Sequence, residues 1–225
     1  DGHPLSKGKV EVKYMTAKEE DILTSQNLIQ QGSVIDVLLE ALIVDKSVKV
    51  HDLLIGDKNA IMIAARILGY GKDYDFEYDG VEQKTDLSLL EAKQMDLSKF
   101  PKGVNQFSFK LPNSEREIKF KLLNGTDENN IDLEIKARKK VSKIQSSQLT
   151  TRLKHMIISV DGKTDREYIN NFVDNEFLSR DSLAFRNYLS SITPDVDMTT
   201  TVVDSNGKES EVTIPVTVRF FWPTT

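Results

Sequence analysis

The residues of this chain that could do chemistry are three histidines and a scatter of serines and carboxylates. His3, His51 and His155 lie far apart in the sequence and lack the short spacing typical of metal ligands. Ser159, His155 and Asp161 have the residue types of a catalytic triad of nucleophile, base and acid. No G-x-S-x-G motif surrounds the serine, so the sequence does not support such a triad. The sequence therefore predicts no catalytic residue and no enzyme.

The carboxylates are equally unspecific. The pairs Asp73/Asp75 and Asp195/Asp197 fall at predicted turns and strand ends, which explains them without a metal. Residues 204–207 have part of a calcium loop but lack its spacing and its final glutamate. The chain has no cysteine, which excludes disulfides and cysteine-bound zinc. We therefore predict neither a metal nor a cofactor.

A glycine, a lysine and a helix-like run in residues 56–71, GDKNAIMIAARILGYG, suggest a phosphate-binding loop. Such a loop requires G-x-x-x-x-G-K-[ST]. Here Lys58 follows the first glycine by two positions, and no Ser or Thr follows the lysine. The pattern instead predicts a helix with its N-cap at Asp57 or Asn59 and its C-terminal glycine at Gly69.

This predicted helix is apolar on almost every side, with Arg66 as the interruption. Such a helix must be covered all round, either by its own domain or partly by a partner subunit. The consecutive C-terminal aromatic residues pose the same alternative, because they cannot all occupy one face of a strand. The candidate partner contacts are Ile61, Met62, Ile63, Arg66, Ile67, Phe220, Phe221 and Trp222.

Length and charge limit the classes of protein. The 225 residues suffice for one large domain or two small ones, and 39% apolar with 29% charged residues is typical of a globular protein. No apolar run is long enough to cross a membrane. The densest basic run, residues 136–140, lies in a chain of net charge −5. We therefore predict neither a membrane nor a nucleic-acid partner.

The order of the elements predicts an α+β fold. Residues 1–72 form a helical N-terminal part: a strand at 9–14, a helix from a Thr16/Glu19 capping box to Gly32, and a helix at 34–42. Residues 73–123 form a central β-rich insert, with alternating patterns in YDFEYDG, NQFSFKLP and REIKFKLL.

Helices return in residues 124–194. Thr126 is the predicted cap of the first, the second runs through SSQLTTRLKHMIISV, and Thr164 to Glu167 form a capping box for the third. A fourth helix is predicted at 181–192. Residues 195–225 hold a C-terminal β-hairpin around an Asn-Gly turn and an aromatic tail. We expect the four parts to form one compact unit.

Three stretches together resemble a known family: KVEVKYMTAKEEDILTSQNLIQQGSVIDVLLEALI, GDKNAIMIAARILGYGKDYDF and TIPVTVRFFWP. They are similar to the small baseplate hub and hub-assembly proteins of T-even-type contractile-tailed bacteriophages. The stretch TTRLKHMIISVDGKTDREYINNFVDNEFLSRDS looks like the marine and cyanophage branch. The resemblance covers nearly the whole chain.

The resemblance implies a structural subunit or assembly factor of the baseplate hub, without enzymatic activity. Its partners would be other hub and tail proteins in a hetero-oligomeric complex, in the virion tail and, during assembly, in the host cytoplasm. Two alternatives stay open: a transient assembly chaperone absent from the mature virion, and a tail-associated hydrolase. The hydrolase would need converging carboxylates or a metal, and the sequence shows neither clearly.

This chain differs in one respect from the family that it resembles. Members of the family often carry a C-x-x-C pair near each of two β-turns, and the two pairs are expected to build one zinc site. The matching positions here, 78–81 and 203–206, have no cysteine. If the turns are retained without the metal, we expect them to be spatial neighbours, although more than a hundred residues separate them in the sequence.

Overall fold

The computed structural model describes residues 5, 8–96, 103–141, 148–216 and 218–221. These residues form an α+β fold with small sheets and a C-terminal β-hairpin, as predicted. They group into two compact units. The hairpin unit comprises the described residues of Gly2–Val50, Gly56–Gln94 and Pro194–Thr225, and the sheet unit those of His51–Ile55 and Met95–Thr193. The four-part division read from the sequence stays a prediction.

The hairpin unit begins with three helices: α1 (Ala17–Thr24), α2 (Gln26–Gln31) and α3 (Val34–Leu42). The predicted capping box is present, because Glu19 accepts hydrogen bonds from the Thr16 backbone N–H and hydroxyl. Gly32 ends α2 in the left-handed conformation, as predicted. The single helix predicted from 16 to 32 is wrong, because the extended backbone of Ser25 divides it into two helices.

The segment before α1 differs from its prediction. Residues 9–14 make one isolated antiparallel bridge, Val12 to Ile43, rather than a strand. Backbone hydrogen bonds from Lys13 to Leu42 and from Val44 to Glu11 flank the bridge. Backbone pairing therefore fixes this segment beside the end of α3, although the pairing is too short to form a sheet.

Helix α4 (Ile55–Tyr70) contains both of the glycines that were expected near its ends, so the predicted N-cap and the Gly69 terminus are wrong. Packing gives the reason. A Cβ on Gly56 would lie 2.0 Å from the carbonyl oxygen of Pro194, and one on Gly69 would lie 2.5 Å from Cε of Met15. The left-handed residue that follows the helix is Gly71, at φ 82°.

Two hairpins complete this unit. Strand β1 (Asp73–Tyr78) pairs with β2 (Val81–Asp86) through a two-residue turn, in which Asp79 and Gly80 both have positive φ. Strand β6 (Thr199–Val203) pairs with β7 (Glu209–Thr213) around the predicted Asn-Gly turn. Short 3-10 turns follow at Leu87–Leu89 and Val218–Phe221.

The sheet unit contains a three-stranded antiparallel sheet, in the order β3 (Phe107–Lys110), β4 (Glu117–Phe120) and β5 (Ile157–Val160). The helical prediction for residues 157–160 is wrong. These largely β-branched residues pair with β4, with Ile118 opposite Val160. The strands predicted within 73–123 thus contribute to two separate sheets.

The described helices of the sheet unit include α5 (Gly125–Val141), α6 (Gln148–Met156), α7 (Arg166–Asn171), which continues into a π-helical turn at Phe172–Glu176, and α8 (Ser179–Ile192). Asn124 caps α5 through a reciprocal pair of hydrogen bonds with Asp127, so the predicted Thr126 cap is wrong. Asp165, rather than Thr164, caps α7. The core of the unit includes buried Ile118, Phe120, Phe172 and Phe185.

Candidate interaction site

The two turns expected to be neighbours do lie side by side in the hairpin unit. The Ser205 hydroxyl donates to the Asp79 carboxylate at 2.7 Å, and the Ser205 backbone N–H donates to it at 3.4 Å. These two hydrogen bonds lower the pKa of Asp79. The neighbourhood implied by the resemblance is therefore confirmed. Hydrogen bonds connect the turns directly, without any thiol.

Gln83 joins the two hairpins further along. Its side-chain amide donates to the Val203 carbonyl at 2.8 Å and accepts from the Val203 N–H at 3.2 Å. Thr85 and Thr200 add a hydroxyl contact at 3.1 Å. Because an amide side chain carries the same donor and acceptor as a peptide group, Gln83 takes the place of a backbone pairing at the end of β6.

Arg66 of α4 joins three further segments of the same unit. Its side chain donates to the carbonyls of Phe220 at 2.8 Å, Gly71 at 2.9 Å and Asp73 at 3.1 Å. Only 3% of the residue is exposed, and burial lowers its pKa. The charge is met by carbonyl dipoles and by the faces of Tyr70 and Tyr74, at 5.4 and 5.9 Å.

The described part of the aromatic C-terminus packs at this junction. The Phe220 ring meets Tyr74 edge-on at 5.0 Å and Phe221 at 5.3 Å. The Tyr74 hydroxyl donates to the Pro215 carbonyl at 3.1 Å, and burial raises the pKa of Tyr74. The aromatic residues therefore secure the chain end against β1, and they lie next to the carbonyl that Arg66 binds.

Helix α4 is also bonded to the N-terminal helices. Lys58 pairs with Asp36 of α3 at 2.5 Å, and the Tyr70 hydroxyl donates to Glu20 of α1 at 2.9 Å. Burial and the bond to Glu20 raise the pKa of Tyr70 to about 12. Polar contacts at both ends of α4 thus fix its position in the unit.

The structure buries most of the predicted partner-contact residues. Ile61, Met62, Ile63, Arg66, Phe220 and Phe221 are buried, and Ile67 is half-buried. Trp222 lies outside the described residues. Whether any of them contacts a partner stays a prediction, but their burial shows that they hold the hairpin unit together.

Exposed apolar surface lies next to these residues. Leu68 of α4 is 38% exposed and Tyr14 is 69% exposed. Met15, the residue after Tyr14, packs at Gly69, the residue after Leu68. A groove of about 360 Å³ runs along the same side of α4, lined by Val10, Val12, Ala60, Ile61 and Ala64 among others.

The structure does not bring Ser159, His155 and Asp161 together as a catalytic triad. His155 contacts Glu134 at 3.0 Å, whereas Asp161 accepts a hydrogen bond from Arg116 at 2.8 Å. Ser159 is buried within β5. His3 lies outside the described residues. In the part of the chain that the structure describes, no three His, Asp or Glu side chains are grouped as metal ligands.

Asp73, Asp195 and Asp197 of the two carboxylate pairs have structural partners. Asp73 pairs with Lys84 at 2.9 Å, Asp195 accepts from Asn59 at 2.9 Å, and Asp197 accepts from the Thr199 N–H at 3.0 Å.

Among the described helices, none is both long and apolar enough to span a bilayer.

Sequence reasoning missed the roles of Gln83 and Arg66. Arg66 did carry a signal, because a lone charge in an apolar helix must find partners when it is buried. Gln83 carried none, because its partner Val203 is 120 residues away.

Comparison with known families gives the class of the protein. The T4 bacteriophage base plate protein family matches residues 3–222, nearly the whole chain. The chain therefore belongs to this family of phage baseplate proteins. Neither a curated protein nor a solved structure matches it. The resemblance seen in the sequence is confirmed at the level of the family, and the marine and cyanophage branch stays a prediction.

Proposed function

We propose that this chain is a structural subunit or assembly factor of the baseplate hub in a contractile-tailed phage. It works through contacts with other hub and tail proteins in a hetero-oligomeric complex. The observation that carries the proposal is the family match over residues 3–222. The sites of action are the tail baseplate of the virion and, before that, the cytoplasm of the infected host.

The proposed role is contact rather than catalysis. In the described residues, the polar groups that approach one another are used within the fold: Arg66 bonds carbonyls, and Arg116 bonds Asp161 and Glu176. These bonds hold each unit together from within. We therefore place the function of the chain in the exposed groups that each unit presents.

The surface beside α4 supports this role. The buried candidates Ile61, Met62, Ile63, Arg66 and Ile67 position the helix, while Leu68 and Tyr14 next to it are exposed to a partner. We propose that Tyr14 and Leu68 form one apolar contact with a neighbouring baseplate protein, and that Phe220 and Phe221 hold this region in place from within.

Depletion of the protein during infection tests the proposal. Without it, electron microscopy should show heads but few complete baseplates, and the wild-type protein supplied from a plasmid should restore them. The double variant Tyr14→Ser/Leu68→Ser should stay folded at the temperature of infection, with a modestly lower melting temperature, but restore poorly. As a matched control, Leu133→Ser alters an exposed leucine of the sheet unit and should restore fully. Normal infectious tails after depletion would refute the proposed function.

A further inference from the structure

Strand β7 has one edge that nothing in the described chain pairs with. Its partner within the described residues is β6, on one side only. The backbone bonds from Ile214 to Met198 and from Asp204 to Lys208 mark the two ends of the β6–β7 pairing. Because hydrogen-bonded pairs alternate along antiparallel strands, the N–H and C=O groups of Glu209, Glu211 and Thr213 point away from β6.

The outer edge of β6 supports this register independently. The same alternation points the N–H and C=O of Val203 outward, and Gln83 bonds both of these groups. The fold therefore closes the β6 edge at Val203 with a side-chain amide. The described residues give the corresponding β7 groups no such cover.

The side chains on the β7 edge are acidic. Glu209 and Glu211 are exposed and lie on one face with Thr213, while Ser210 and Val212 are half-buried on the other. No described lysine or arginine forms an ion pair with either glutamate. Edge strands are commonly protected by lysine or proline. Here the charge is negative, which selects a positively charged partner.

A groove of about 420 Å³ adjoins the same face. Its lining includes Glu211, Thr201, Asp86 and Asp197, with Leu89 at its rim. Leu89 is 74% exposed. Asp86 pairs with Lys72 at 2.6 Å, and hydrogen bonds from Lys72 and Ser88 lower its pKa to about 2. The groove lies on the β6 side of Glu211, so the acidic groups at the outer β7 edge itself are Glu209 and Glu211.

We infer that the β7 edge receives an extended segment of a partner protein, which adds a strand to the hairpin and carries Lys or Arg at alternate positions. Backbone hydrogen bonds supply the pairing, and the carboxylates of Glu209 and Glu211 select the charge. The inference rests on the proposed function, because it takes the partner to be another baseplate protein.

A second copy of β7 fits the edge less well than a basic strand does. An antiparallel β7–β7 pair centred on Glu211 places Glu211 opposite Glu211, and a shift by two residues toward the turn places Glu209 opposite Glu211. Like charges directly opposite each other destabilise a strand pair. A shift by two residues the other way avoids this but leaves both glutamates without an opposite charge. The charges therefore favour a basic segment of a different protein as the occupant.

The test uses the full chain and two labelled peptides, TKVKVKVKT and TEVEVEVET, with fluorescence anisotropy and amide hydrogen exchange as readouts. The lysine peptide should bind saturably, and the glutamate peptide should bind at least about tenfold more weakly. The amides of Glu209, Glu211 and Thr213 should exchange fast in the free protein and slow on binding. A lysine peptide N-methylated at alternate residues should lose binding, because its backbone donors are blocked.

Charge-matched variants separate a local site from general attraction to an acidic protein. Glu209→Gln with Glu211→Gln should weaken binding of the lysine peptide about tenfold. Asp132→Asn with Glu167→Gln removes the same charge from exposed positions of the sheet unit and should change binding less than about twofold.

Several results would overturn the inference: no binding of the lysine peptide, equal binding of both peptides, unimpaired binding after N-methylation, or protection of the three amides in the free protein. These outcomes are independent of particle composition. The β7 edge could therefore fail while the proposed function stands, and the reverse also holds.

Discussion

The two units of this chain join strands that are distant in the sequence by different means. In the sheet unit, β4 and β5 share a backbone ladder, with Ile118 opposite Val160. In the hairpin unit, the described residues join β2 to β6 through the side chains of Gln83, Thr85 and Thr200. A ladder spreads pairing over many peptide groups, whereas side-chain bridges concentrate it in a few residues. One side-chain substitution can therefore remove a connection between strands in the hairpin unit, whereas it leaves the backbone ladder of the sheet unit in place.

Two arginine sites, one buried and one half-buried, show the same contrast. Arg66 of the hairpin unit binds three carbonyls and is almost fully covered. Arg116 of the sheet unit binds Asp161 and Glu176, whose side chains are more than two-fifths exposed, and lies 4.6 Å over the Phe172 ring. Water can replace the partners of Arg116 but not those of Arg66.

The largest predicted effect is that of Arg66→Met. The substitution leaves three carbonyls without their donor in a covered site, so the free energy of unfolding should fall by roughly 3–5 kcal/mol. Urea unfolding followed by circular dichroism measures it. Arg66→Lys should recover only part of the loss, because one ammonium group cannot reach three acceptors in the guanidinium geometry. If Arg66→Met lost less free energy of unfolding than Arg116→Met, the proposed difference between the two arginine sites would be wrong.

Next in size is a pair of glycine substitutions, one in each unit. Gly56→Ala brings a Cβ to 2.0 Å from the backbone oxygen of Pro194, and the chain must shift at a cost of about 3 kcal/mol. Gly125→Ala meets Cα of His51 at 3.0 Å, where a small adjustment suffices and the cost should be about 1 kcal/mol. Thermal unfolding of both variants gives the ratio. Equal losses of stability would show that the packing at Gly56 in the hairpin unit is no tighter than the packing at Gly125 in the sheet unit.

Arg116→Met should cost only about 1 kcal/mol at neutral pH, because its carboxylate partners are largely solvated. The stability lost in Arg116→Met should depend on pH. Arg116 and the Glu117 N–H lower the pKa of Asp161 below its unfolded value of about 3.9. The stabilisation is thus present above that unfolded value and is lost as the pH falls through the lower, folded pKa. Unfolding measured from pH 7 to pH 2 should converge for wild type and Arg116→Met, and parallel curves would contradict the assignment.

The smallest effect belongs to Gln83→Leu, at about 1 kcal/mol or less, because Val203 at the strand edge can bond water instead. The informative readout is hydrogen exchange. The Val203 amide should exchange faster by about tenfold, whereas the Ile118 amide in the sheet unit should not change. An unchanged Val203 amide would show that the glutamine does not close the β6 edge.

Local signals predicted much of the fold. The Thr16/Glu19 box and the Asn-Gly turn determine their own backbone, so the α1 start and the β6–β7 hairpin were predicted correctly. Gly69 was misread as a helix end because its true role, contact with Met15, is not local. Residues 157–160 were misread as helix because only the neighbouring β4 makes them a strand.

The site was less predictable than the fold. The proximity of the two turns came from family resemblance rather than from any pattern in this chain. The apolar character of α4 predicted burial but not which surface covers it. Arg66 was singled out as a contact, and only the structure shows that its bonds go to the carbonyls of Gly71, Asp73 and Phe220.

The most direct test of the proposed baseplate role is quantitative mass spectrometry of purified phage particles and of baseplate intermediates from infected cells. Peptides of this chain should occur there at a fixed ratio to those of other baseplate proteins. Their presence in both samples identifies a structural subunit, and their presence only in the intermediates identifies an assembly chaperone. Absence from both samples would contradict a role in the baseplate.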